Sequence, residues 1–162
     1  MGSEGDLLVE VQKIPWFRDL SPKHLKLVGE ISKLRRAKPG EIIFREGDKE
    51  DNVYIVLEGR ISLDMYVPAR GKVRFYSAEP WEVVGWSSVT PNVRQRTAGA
   101  TAVMDSLLLA VDAEKLRQVC DQDHDLGYLV MRRLANIVAS RLLVTRLQLI
   151  DMFGDPSEKK NA

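Results

Sequence analysis

Three features of the sequence predict an α+β fold: a small antiparallel β-sandwich or barrel flanked by N-terminal helices and a long C-terminal helix. Ser21-Pro22 starts a run with apolar residues at Leu25, Val28, Ile31 and Leu34, close to helical period. From Lys38 to Gly85, short stretches rich in Val, Ile, Tyr and Phe alternate with Gly, Pro and Asp about every ten residues, the texture of antiparallel strands. From Asp125 to Phe153 there are 29 residues without Pro and with one early Gly, Gly127.

Taken in order, Leu7 to Lys13 forms a short amphipathic piece, broken by Pro15. A helix is expected over Ser21 to Arg35, with Ser21 as N-cap and Pro22 in the first helical position. Strands are expected at Glu41 to Phe44, Val53 to Leu57, Arg60 to Val67 and Lys72 to Ser77, with hairpin turns at Glu58-Gly59 and Ala69-Arg70-Gly71. Two more strands fall within "TAGATAVMDSLLLAVD", and "AEKLRQVCDQ" reads as a helix capped by Asp112. The final helix, at 1.5 Å per residue, would run about 43 Å, longer than a small barrel is wide. Met131, Leu134, Val138, Leu142, Thr145, Leu149 and Met152 form a seam with 3-4 stagger, while Leu143, Val144, Leu147, Ile150 and Phe153 put apolar surface on other faces. Such a helix needs more than one partner: either it packs on its own domain alone, or, the reading adopted, a second copy of the chain covers the remaining face. The organisation is therefore a tail and short helix over 1–15, a barrel unit over 16–124, a dimerisation helix over 125–153 and a disordered tail over 154–162.

The chain has 162 residues, enough for one ordinary domain and its core. With 24 basic and 23 acidic residues the net charge is +1, so no global field draws it to nucleic acid or an anionic membrane, and any anion must be bound locally. A single Cys120 and two separated histidines exclude an internal disulfide and offer no cluster at metal-ligand spacing. No apolar run approaches the length of a membrane span, so a cytoplasmic protein is expected. The opening Met1-Gly2-Ser3 reads as a cloning scar, since Asp6 stands where a lipidation motif wants Ser or Thr.

The segment "IFREGDKEDNVYIVLEG" places Gly47-Asp48 before four consecutive apolar residues, Val53 to Val56, and then Gly59, all after Lys38-Pro39-Gly40-Glu41. That spacing resembles the cyclic-nucleotide-binding domain, the module shared by bacterial catabolite activators, cyclic-nucleotide-regulated kinases and gated channels; Glu50 departs from it, standing where the family prefers a small residue. The resemblance covers about Trp16 to Phe153 and implies a barrel of the double-stranded β-helix or jelly-roll type. Read physically, Gly40, Gly47 and Gly59 are turn positions that hold the barrel.

The resemblance also implies where a ligand would sit. In the family a Gly begins a short helix inside the barrel whose backbone N–H groups receive a cyclic phosphate, and an Arg followed by a small hydroxyl residue closes on it. Here Gly85 is followed eleven positions later by Arg96-Thr97-Ala98. The chemistry holds independently: a helix N-terminus offers donors and partial positive charge, Arg offers a planar fork, and Thr97 adds a donor. Arg94 competes with Arg96, because the two alternate along one strand face.

Trp86 is the mismatch. The family places a Glu directly after this Gly, where its carboxylate accepts the ribose 2'-hydroxyl; an indole donates one hydrogen bond and accepts none. Losing a charge-assisted bond costs roughly 1.5 to 3 kcal/mol, about tenfold to a hundredfold in affinity. Ribose recognition then weakens or moves to Ser87 or Ser88, or Trp86 packs over a base or sugar; the other reading of Trp86 is an aromatic that fills the barrel. Base contacts in the family come from the long helix. Within "SRLLVTR", Arg141 and Thr145 lie four apart on one helix face and are either base-end ligands or plain helix surface.

Nothing in the sequence arranges an enzyme: His24 and His124 are expected at the surface, and Cys120 as packing. The carboxylates Glu46, Asp48, Glu50 and Asp51 lack the spacing of a calcium loop and suit a solvated hairpin tip. The expected function is a sensor for cAMP, cGMP or a related phosphate ligand, with no cofactor, signalling as a homodimer to a downstream protein partner. A degenerate barrel serving as a docking scaffold is the alternative. Direct DNA binding is not expected, because the nine residues after Phe153 are too few for a helix-turn-helix.

Overall fold

The computed structural model describes residues 4–49, 51–90 and 95–154. Helices α1 (Glu4–Lys13) and α2 (Pro22–Glu30) come first, joined through a 3-10 turn at Pro15–Phe17. Eight strands follow: β1 (Ser32–Ala37), β2 (Ile42–Phe44), β3 (Asn52–Glu58), β4 (Ile61–Val67), β5 (Gly71–Ala78), β6 (Val83–Val84), β7 (Gly99–Ala102) and β8 (Ser106–Asp112). Helices α3 (Ala113–Gln122) and α4 (His124–Phe153) close the chain. The strands form two antiparallel four-stranded sheets, ordered β1-β8-β3-β6 and β2-β7-β4-β5, in a jelly-roll arrangement.

The long apolar runs of β3 and β8 are explained by burial on both faces. Val53, Ile55 and Leu57 of β3, with Leu107, Leu109 and Val111 of β8, point outward into a core shared with Val11, Ile14, Leu116 and Leu134 of the helices. The alternate residues Tyr54, Val56, Leu108 and Ala110 point between the sheets, against Ile43, Phe44, Ile61 and Ala100. Period-two alternation thus feeds two cores from one strand.

The helix expected over Ser21 to Arg35 is corrected. Ser21 caps it as expected, its Oγ accepting from the His24 N–H at 3.2 Å, but the helix ends at Glu30. Ser32 to Ala37 instead pair along their whole length with β8, from Ser32 opposite Val111 to Ala37 opposite Ser106. Leu34 continues the three-residue apolar spacing of α2 by coincidence, and sheet pairing overrides the local pattern. The other strands and α3 lie where expected within a residue or two, Asp112 Oδ1 accepting from the Lys115 N–H at 2.9 Å. Gly40, Gly47 and Gly59 all take positive φ in their turns. A further turn was not anticipated: the Glu82 N–H reaches the Glu79 carbonyl across Pro80-Trp81, and Trp81, at φ 74°, holds the position such a turn usually gives to Gly.

His24 is also corrected. Its side chain is mostly enclosed and its Nε2 lies 2.9 Å from Asp123 Oδ2, the carboxylate that caps α4 by accepting from the Leu126 N–H. The expected surface histidine therefore ties α2 to the start of α4. His124 is exposed and Cys120 is buried. At the hairpin tip, Asp48 Oδ2 accepts from the Arg45 N–H and Glu46 Oε2 from the Tyr66 N–H; Glu50 lies outside the described residues, as does the tail from 155 onward. Among the described residues no helix is long and apolar enough to cross a membrane.

Candidate functional site

The site begins where β6 ends. β6 is held against β3, Val84 opposite Tyr54 and Val83 opposite Ile55, and Gly85 then turns with φ 74° into a 3-10 turn over Trp86–Val89. The short helix expected here is that single 3-10 turn, too brief to carry much dipole. Its polar groups largely satisfy one another. The Gly85 carbonyl accepts from the Ser88 N–H at 3.2 Å and Ser88 Oγ at 2.7 Å, and the Ser87 carbonyl accepts from the Thr90 N–H at 3.0 Å and Thr90 Oγ1 at 2.7 Å. Arg117 of α3 donates to the Ser88 carbonyl from outside.

Arg96 lies across the same turn. It is 4% exposed; its Nη1 donates to the Gly85 carbonyl at 3.1 Å, its Nη2 to the Asn52 carbonyl at 2.5 Å, and its guanidinium sits 4.1 Å from the centre of the Phe44 ring. The planar fork expected at Arg96 thus lies on two backbone carbonyls. A Cβ on Gly85 would run into Arg96 Nη1, so close approach and positive φ both require Gly there. Arg94, the competing residue, lies outside the described residues.

Above the turn lies a cavity of about 220 Å³. Gly85, Trp86, Ser87, Arg96, Thr97 and Ala98 line it from the barrel, and Arg141, Val144, Thr145 and Gln148 line it from α4. Phe44, Leu63, Met65, Phe75 and Tyr76 supply the remaining wall. Of the described residues singled out in the sequence as ligand contacts, Ser88 alone does not line it: it is buried, with its hydroxyl turned back onto the Gly85 carbonyl. Trp86 is half-buried and does two things, packing against the helix-side core while presenting a surface to the cavity. Thr145 is exposed at the mouth, and its Oγ1 donates to the Arg141 carbonyl one turn back.

Arg141 is far from plain helix surface. Its guanidinium lies 3.6 Å from the centre of the Tyr76 ring and its Nη2 donates to the Val83 carbonyl at 2.9 Å. Burial pulls the guanidinium below its ordinary pKa, opposed by Tyr76 and Glu82. Tyr76 in turn donates to Glu82 Oε1, and its phenol is raised, by burial first and by that hydrogen bond second. Gln148 Nε2 donates to the Phe75 carbonyl at 3.0 Å. Arg141 and Gln148, seven residues apart on one face, thus fasten α4 over the cavity.

Sequence reasoning missed Phe44, Tyr76 and Gln148. For Gln148 a signal existed, since it continues the 141, 145, 148 helical stripe; for Phe44 and Tyr76 none did, because only the pairing of distant strands brings them to this wall. Among the described lining residues there are two guanidinium groups and no carboxylate. Such a cavity suits an anion joined to a flat or apolar body.

Comparison with known proteins bears on the family and the fold. A family model described as the cyclic nucleotide-binding domain matches residues 34–123. A crystal structure of a candidate cyclic nucleotide-binding protein from Geobacter metallireducens is 27% identical, with a TM-score of 0.72, covering 88% of this chain and 99% of that one. The catabolite activator protein of Thermus thermophilus is 28% identical, with a TM-score of 0.68, covering 85% of this chain and 62% of that one. A curated relative, named as a candidate potassium channel protein of Rhodopseudomonas palustris, is 24% identical over 156 residues; the match covers 94% of this chain but spans only 36% of the relative's length.

Proposed function

The chain belongs to the cyclic nucleotide-binding domain family, and from that premise we propose that it is a non-enzymatic sensing module that takes a cyclic nucleotide, cAMP or cGMP, or a related phosphate ligand beneath α4. The observation that carries this reading is the convergence of three distant stretches, 85–87, 96–98 and 141–148, on one cavity. Arg96 and Thr97 receive the phosphate, Arg96 exchanging a carbonyl for a charged oxygen, the stronger acceptor. Arg141 and Thr145 meet the base end. Because α4 forms part of the wall, a ligand that prefers one position of the helix shifts its population toward that position, and this is the signal.

The output passes through α4 to a second copy and to a downstream protein partner. Leu143, Leu147 and Ile150 form an exposed apolar stripe that suits a homodimer. The small share of the channel relative that the match spans supports a module acting within or beside a larger protein. No catalytic role is assigned to His24, which holds the cap of α4, or to the buried Cys120.

Calorimetric titration with cAMP and cGMP tests the reading. Saturable heat is expected for at least one of them, weakened about tenfold or more by Arg96→Ala, with thermal melting to verify that the variant is folded. No heat with either nucleotide at millimolar concentration would remove both as ligands. It would favour the second reading, a docking scaffold, for which the carbonyl-bound Arg96 and core-packed Trp86 speak.

A further inference from the structure

We infer that the cavity does not read the sugar 2'-hydroxyl, so that it accepts 2'-deoxy cyclic nucleotides as well as the ribonucleotides. This rests on the proposed binding of a cyclic nucleotide and specifies what that site selects. A hydroxyl taken from water into a cavity must find an acceptor or forfeit its hydrogen bonding. No described lining residue is a carboxylate, and Trp86, next to Gly85, offers only an N–H.

Two backbone carbonyls of the turn beside Trp86 are already saturated. Each carbonyl oxygen has two lone pairs. The Gly85 carbonyl already receives the Ser88 N–H, Ser88 Oγ and Arg96 Nη1, and the Ser87 carbonyl receives two donors from Thr90. The side-chain acceptors among the described lining residues, the hydroxyls of Ser87, Thr97 and Thr145 and the amide oxygen of Gln148, are neutral, so any bond they return is weaker than one to a carboxylate. The charged groups among the described lining residues are both cationic, Arg96 and Arg141, set against a wall of Phe44, Phe75, Tyr76 and Trp86. Phosphate and base are recognised; the sugar edge is a spacer.

The test is calorimetry on the full chain with two pairs, cAMP against 2'-deoxy-cAMP and cGMP against 2'-deoxy-cGMP, at one salt concentration. Dissociation constants within about threefold inside each binding pair are expected, where a charge-assisted contact to the hydroxyl would produce tenfold or more. Deoxy ligands weaker by more than threefold would overturn the inference while leaving the binding reading intact. Silence from all four ligands would overturn the binding reading and this inference with it. Trp86→Glu restores an acceptor and is expected to create a ribose preference of about tenfold; a folded Trp86→Glu chain that still treats both sugars alike would show that Trp86 is not the determinant. Because Trp86 also packs on the core, the comparison within the unmodified chain stands independently of how the variant folds.

Discussion

Gly85 combines two demands in one residue, a left-handed backbone and room for Arg96 Nη1. Any side chain there meets both penalties. Gly85→Ala is expected to destabilise the protein by about 1 to 3 kcal/mol, measured by the urea midpoint, and to weaken nucleotide binding through displacement of Arg96. The residue identities of the cassette came from the family resemblance, and Gly85, Arg96 and Thr97 do line one cavity. The bonding of the guanidinium was not legible, because its partners are carbonyls, which every residue carries. Asn52 contributes to the site only by its backbone, and no letter in the sequence marks such a role.

At the scale of elements, α4 is secured at its N-terminus and again along its length. Asp123 caps its first turn and meets His24 from α2, while Arg141 and Gln148 hold its middle to β5 and β6. The Leu126 N–H, and after it His24, hold the Asp123 carboxyl down from its ordinary 3.8 to about 2. A carboxyl depressed by folding contributes stability above its unfolded pKa, and that contribution is lost as pH falls from about 4 through about 2. Melting at pH 7 and pH 3 checks this: Asp123→Asn, which keeps an acceptor, is expected to show a smaller drop between the two pH values than the unmodified chain, and Asp123→Ala a lower midpoint already at pH 7. Helix caps of this kind were readable at Ser21 and Asp112. The boundary between α2 and β1 was not, since a three-residue apolar spacing serves a helix face and a strand pairing alike over so short a run.

For the whole molecule, the apolar surface of α4 is divided between its own domain and the outside. Along the stripe expected from the 3-4 stagger, Leu134 is buried in the helix-side core and Thr145 lines the cavity mouth, while Leu142, Leu149 and Met152 are exposed. A straight helix of 3.6 residues per turn drifts away from a 3.5-residue seam, so the stripe that starts on the barrel ends in solvent. Leu143, Leu147 and Ile150, each at least 58% exposed, are the better candidates for contact with a second copy. Sedimentation equilibrium is expected to show a dimer whose dissociation constant rises at least about a hundredfold in Leu147→Glu/Ile150→Glu; a monomer at high concentration in the unmodified chain would remove the dimer from the proposed mechanism.

The sequence by itself determined six of the eight strands and the long helix, because these rest on periodicity and turn residues, which are local properties; β1 and the two-residue β6 became visible only through their pairing with β8 and β3. Only the tertiary structure decided that Arg141 and Gln148 lie over the cassette of Gly85, Arg96 and Thr97, that Phe44 and Tyr76 wall it, and that Ser88 turns away from it. Those facts depend on pairings between strands far apart in the chain and on the direction in which α4 leaves its cap. The tryptophan after Gly85 belongs to both levels: its identity offers a donor and no acceptor, and among the described lining residues its surroundings hold no carboxylate.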